Sequence, residues 1–114
     1  MSLTTIALLI FVATAMGGVV ALLPILKGGK PARIVVVAHG LFAAIGVIVL
    51  IYAYLNNSPA VLYSLIAYVV AALGGYYLLY KDLTGKEIPK SLSFIHAGTA
   101  AIGTVLLLFV VLGL

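Results

Sequence analysis

Cysteine is absent from this 114-residue sequence, and charge is scarce: six Lys/Arg and two Asp/Glu make up 7% of the chain. Without cysteine there are no disulfides, thiolate metal sites, iron–sulfur clusters, thiol catalysis or palmitoylation. The shortage of charge excludes a water-facing globular surface, which needs about a quarter of its positions charged. A hydrophobic content of 66% excludes intrinsic disorder. A net charge of +4 confined to two short loops forms no continuous basic track, so nucleic acid is excluded as a partner. No Asp or Glu neighbours either histidine and no nucleophile motif occurs, which leaves soluble enzyme chemistry without support.

What the chain does have is four uncharged apolar runs: Leu3 to Leu26, Ile34 to Leu55, Ala60 to Tyr80 and Leu92 to Leu114. Each has the roughly 20 residues that a helix rising about 1.5 Å per residue needs to cross about 30 Å of hydrocarbon. None shows the alternation of a membrane barrel strand. The expected fold is an all-α integral membrane protein, a single domain over residues 1–114 embedded in the lipid bilayer as a four-helix up-down bundle. Ala13-Thr14-Ala15 looks like a signal-peptide cleavage site, but the run lacks a basic leader and continues well past it, so it is read as a span. Punctuation between the runs predicts Ser58 as N-cap and Pro59 as first residue of the third helix, and Ser91 as cap of the fourth. All charged residues fall after the first run (Lys27, Lys30, Arg33) or after the third (Lys81, Asp82, Lys86, Glu87, Lys90). Up-down topology puts both groups on one side. By the positive-inside rule that side is cytoplasmic, with both termini outside, as in a prokaryotic inner (plasma) membrane. Tyr52, Tyr54 and Tyr63 then mark the outer interface and Tyr76, Tyr77 and Tyr80 the inner one.

The chain repeats itself, without a gap, when it is slid along by half its length. Gly17-Gly18 matches Gly74-Gly75, Gly28 matches Gly85, and His39, Ala43-Ala44-Ile45-Gly46 and Leu50 match His96, Ala100-Ala101-Ile102-Gly103 and Leu107. This predicts two tandem helical hairpins, 1–57 and 58–114, related by a pseudo-two-fold axis along the membrane normal.

His39 and His96 are the only histidines, and each lies six residues after the last basic residue of its loop, Arg33 or Lys90. Both imidazoles are thus expected about 9 Å inside the charged boundary. In a bundle that follows chain order, helices two and four are diagonal, with axes very roughly 11–14 Å apart. That span is too wide for the rings to meet but suits a flat group held between them, and a porphyrin with a central iron fits. Gly46 and Gly103, two turns beyond each histidine, are expected to let the macrocycle lie against the backbone, with Gly17, Gly18, Gly74 and Gly75 at a similar depth on the other two helices. Lys27, Lys30, Arg33, Lys86 and Lys90 would meet its carboxylates. Taken without the histidines, the glycines suit close helix packing equally well, and topology alone accounts for the basic loops. A bare zinc or copper ion is disfavoured because it usually wants three or four ligands.

The paired His and Gly positions on four spans resemble the small four-helix b-type cytochromes of membranes, the cytochrome b561 group among them. The resemblance implies one haem b per chain, with His39 and His96 as axial ligands of the iron, and a role in electron transfer instead of catalysis in its own right. Members of that group carry two haems between two His pairs near opposite faces, whereas this chain has one pair on one side. A quinone or a redox partner protein would therefore have to complete the electron route, and a homodimer is compatible with the sequence. Two other functions remain open. The length and four spans also suit a small transporter, although the membrane-embedded Glu in the first helix of the small multidrug resistance group has no counterpart here. The third is a haem-free structural or assembly subunit of a membrane complex.

Overall fold

The computed structural model describes all 114 residues and contains helices and no strands. Four long helices, α1 (Leu3–Leu26), α2 (Arg33–Leu55), α3 (Leu62–Leu83) and α4 (Lys90–Leu112), form a bundle of 43 × 22 × 19 Å. All four are long and apolar enough to cross a membrane, which marks a membrane protein.

Neighbouring helices pack in chain order around a ring. The closest pairs are α1 with α2 and α3 with α4, and looser seams join α1 to α4 and α2 to α3. Helices α2 and α4 therefore lie across one diagonal of the bundle, and α1 and α3 across the other. Only 15 of 114 residues are buried, and the outward faces carry large apolar side chains such as Leu41, Ile48, Leu73 and Ile102. Such a surface is at ease only in hydrocarbon. The six tyrosines expected at the interfaces are all exposed, and Tyr68, a seventh, is buried.

The ends of α1 and α3 are built alike. Gly29 N–H donates to Pro24 O (2.9 Å) and Gly28 N–H to Ile25 O (3.0 Å); at the equivalent turn of the second hairpin, Lys86 N–H donates to Lys81 O (2.9 Å) and Gly85 N–H to Asp82 O (3.2 Å). Both are Schellman closures, and both require the left-handed backbone that Gly28 (φ 81°) and Gly85 (φ 70°) supply without strain.

Helix starts differ from the sequence reading. Pro59–Val61 forms a short 3-10 turn ahead of α3, and Ser58 makes no side-chain cap bond. Helix α4 begins at Lys90 after Pro89, so Ser91 lies inside it and caps nothing. Pro59 opens the 3-10 turn as its first residue, and Pro89 is itself the N-cap of α4 at φ −65° and ψ 121°, so the fixed proline φ serves at both starts without a side-chain acceptor. The effective cap is at the first helix, where Ser2 Oγ accepts from Thr5 N–H at 3.2 Å.

Candidate functional site

The two histidines face one another across the α2–α4 diagonal. Their ring centroids are 6.1 Å apart and their planes stand at 81°. The expectation that these rings cannot approach is corrected: the side chains reach inward far enough to span the gap left by the helix axes. Each is held from a neighbouring helix. His39 Nδ1 lies 2.8 Å from Thr14 O on α1, and His96 Nδ1 lies 2.6 Å from Ala71 O on α3, two bonds that occupy equivalent positions in the two hairpins. A carbonyl oxygen can only accept, so Nδ1 carries the proton in both rings. In the neutral imidazole this leaves Nε2 with a free lone pair. Neither Nε2 has a hydrogen-bond partner in the protein.

The glycine pairs make room for these rings. A Cβ on Gly18 would sit 3.0 Å from His39 Cε1, and one on Gly75 would sit 2.8 Å from His96 Cε1; Gly17 and Gly74 also lie beside the histidine side chains. The notches expected to border a macrocycle thus cradle the imidazoles themselves. Gly46 and Gly103 are corrected in the same way. A Cβ on Gly46 would meet the Phe11 ring at 2.7 Å, and one on Gly103 would meet Tyr68 and Ala67 at 3.3 Å. The Phe11 and Tyr68 rings stack on each other, centroids 3.6 Å apart and planes within 5°. Between Gly46 on α2 and Gly103 on α4 the flat slot therefore exists, and two aromatic rings from α1 and α3 fill it.

Beside that slot runs a set of polar groups that the sequence reading did not place. Tyr68 is one; it donates to Thr104 Oγ1 (2.7 Å), which donates to Ala100 O (2.9 Å). Ser64 Oγ donates from α3 across to Gly103 O on α4 at 2.8 Å. The available signal for Tyr68 was its register: it is the repeat equivalent of Phe11, which puts an aromatic at matching points of both hairpins.

At the charged end, the cations expected to meet haem carboxylates divide. Lys30 Nζ lies 3.7 Å from Asp82 Oδ1, and Arg33 Nε lies 3.9 Å from Asp82 Oδ2. Asp82 is buried, and its Oδ2 accepts no hydrogen bond. Lys86 reaches the Tyr80 hydroxyl at 3.2 Å. Lys27 and Lys90 have no carboxylate partner. No group of three or more His, Asp or Glu is placed to hold a metal ion, so the histidine pair stands without further protein ligands.

No family model, no curated protein and no solved structure matches this chain.

Proposed function

We propose that this chain is a membrane haem b protein that carries electrons, with His39 and His96 as the two axial ligands. The observation that carries this reading is the pair of imidazoles 6.1 Å apart, each with Nδ1–H fixed on a backbone carbonyl. A separation of this size would let both imidazoles reach one metal ion through bonds of about 2.0–2.1 Å. A ligating histidine usually gives its other ring N–H to a carbonyl or carboxylate, which sets the tautomer and the ring orientation.

The donor set suits haem better than a bare ion, because the macrocycle supplies four of the six ligands and the protein need supply only two. Bound there, haem provides a one-electron couple. The protein's contribution is positional. Thr14 O and Ala71 O hold the rings in one tautomer, the apolar helix faces exclude water, and Lys27 and Lys90 are the cations free to meet carboxylates. The glycines support the imidazoles and the aromatic pair, and so serve the haem at one remove. With the two basic loops cytoplasmic and both termini outside a prokaryotic inner membrane, His39 and His96, six residues beyond Arg33 and Lys90, would hold the group toward the inner face. A quinone or a redox partner protein then completes the route.

The test is the visible spectrum of detergent-purified protein from haem-replete cells. Sharp reduced bands of a low-spin b-type haem, absent from His39→Ala and His96→Ala variants that still purify as folded helical protein, are expected. A colourless wild type from which no haem can be extracted would overturn the proposal.

A further inference from the structure

The half-length repeat that matches His39 to His96 also matches residues at the charged end, and there the two halves differ. Asp82, in the last turn of α3, lies 3.7 Å from Lys30 Nζ and 3.9 Å from Arg33 Nε of the other hairpin, and Lys30 also donates to its backbone carbonyl. The repeat equivalents of Asp82, Lys30 and Arg33 are Ile25, Glu87 and Lys90. These three come together in their turn, around a cavity of about 80 Å³ that Gly28, Gly29, Lys30 and Ile88 complete. The carboxylate that neutralises the first cluster is thus an isoleucine in the second. Lys90 is left without an ion pair, and so is Glu87.

We propose that this cavity holds the phosphate of an anionic phospholipid, which takes the place of the carboxylate that Ile25 does not supply. The charged groups of the two clusters are Lys30, Arg33 and Lys90 against Asp82 and Glu87, which leaves one positive charge for a phosphodiester to balance. Basic pockets between membrane helices recognise lipid headgroups by this complementarity. The Gly28 and Gly29 N–H groups are already committed to Ile25 O and Pro24 O, so the ammonium groups of Lys30 and Lys90 are the donors. Helix α4 starts at Lys90 with no side-chain cap, and the positive end of its dipole favours an anion at the same place. Ile25 lies in the last turn of α1 and Lys90 in the first turn of α4, so the cavity sits where apolar spans end and headgroups begin. That depth, with Ile25 and Ile88 as apolar walls, favours a phosphate carried by a lipid over one free in water. The volume falls short of the about 150 Å³ that admits a benzene ring, so it suits the phosphate and not a bulkier headgroup substituent. The site works alike whether or not His39 and His96 hold a haem.

The experiment titrates phosphatidylglycerol into wild-type protein delipidated in uncharged detergent and counts bound lipid by native mass spectrometry, with phosphatidylcholine and inorganic phosphate as comparisons. One phosphatidylglycerol should bind in preference to phosphatidylcholine and stay bound in excess inorganic phosphate. Lys90→Gln should weaken binding about fivefold, the effect of one lysine at an anionic membrane surface, and Lys90→Arg should restore it. Lys81→Gln removes the same charge from the same end but not from the cavity, and at physiological salt should change affinity by less than about twofold. Glu87→Gln lifts a repulsion and should tighten binding. Lys90 and Glu87 are exposed, so these changes leave the bundle intact. Equal losses in Lys81→Gln and Lys90→Gln would mean a diffuse attraction to the charged end and overturn the site. Weaker binding by Glu87→Gln would overturn the anionic lipid in favour of a zwitterionic one whose ammonium meets that carboxylate. A wild type that does not distinguish the two lipids, or that releases phosphatidylglycerol to inorganic phosphate, would overturn the proposal outright.

Discussion

At the scale of single residues, the glycines of the helices are not interchangeable. Gly46, Gly18 and Gly75 each face a ring that a methyl group would strike at 3.0 Å or less, whereas Gly40 and Gly98 have nothing within 4 Å. Gly46→Ala should therefore destabilise the bundle by about 1–3 kcal/mol through overpacking against Phe11. Gly40→Ala and Gly98→Ala should stabilise it by about 0.5–1 kcal/mol through helix propensity. Equilibrium unfolding in mixed detergent separates the two classes, and equal effects would mean the rings are not where the glycines place them. Tyr68 and Thr104 supply a second residue-scale prediction. Tyr68→Phe removes one hydrogen bond, worth about 0.6 kcal/mol on average inside membranes, and leaves Thr104 bonded to Ala100 O. Thr104→Val strands the tyrosine hydroxyl in apolar surroundings and should cost more than Tyr68→Phe, and the double variant should cost less than the sum of the two. The histidines were legible in the sequence because only two occur and their spacings to the basic residues agree. Tyr68 was not, since one aromatic within an apolar run has the same pattern whether it faces lipid or a partner ring.

At the scale of elements, the spans were legible because a run of about 20 apolar residues has few alternatives to a membrane helix. The terminal turns were harder to place. Lys81 and Asp82 belong to the last turn of α3 although their charges suggested a loop, and Asp82 turns inward beneath Lys30 of the α1–α2 connection and Arg33 at the start of α2. Charge alone does not reveal which side of a helix end a carboxylate faces. Since Lys30 also donates to the Asp82 backbone carbonyl at 3.3 Å, this one residue ties the first connection to the end of the third helix. Asp82→Asn keeps the shape and removes the attraction. It should speed tryptic cleavage at Lys27 and Arg33 in detergent while leaving helix content by circular dichroism unchanged. An unaltered cleavage rate would mean that the connection is held by its Schellman closure alone.

At the scale of the whole molecule, the lack of native cysteine makes orientation directly measurable, because any thiol introduced is the only one present. The positive-inside rule predicts that Gly29→Cys and Lys86→Cys resist a membrane-impermeant maleimide in intact cells and that Ser2→Cys and Ser58→Cys react. The opposite pattern would invert the assignment without disturbing the fold. The offset that pairs His39 with His96 also pairs their carbonyl acceptors, Thr14 O and Ala71 O. The place where the halves meet was not readable, since it depends on diagonal helices whose side chains have no sequence proximity.

That meeting place has a consequence for traffic through the bundle. Phe11 and Tyr68, backed by Gly46 and Gly103, act as a plug across the central axis: a solute threading the middle of the helices would have to force apart a pair of rings lying 3.6 Å from each other. The folded chain is thus shut as a conduit, and an alternating-access cycle would have to begin by unstacking that pair. Cutting the plug with Phe11→Ala should make sealed vesicles leak protons if the axis is otherwise passable, while the wild type holds its gradient.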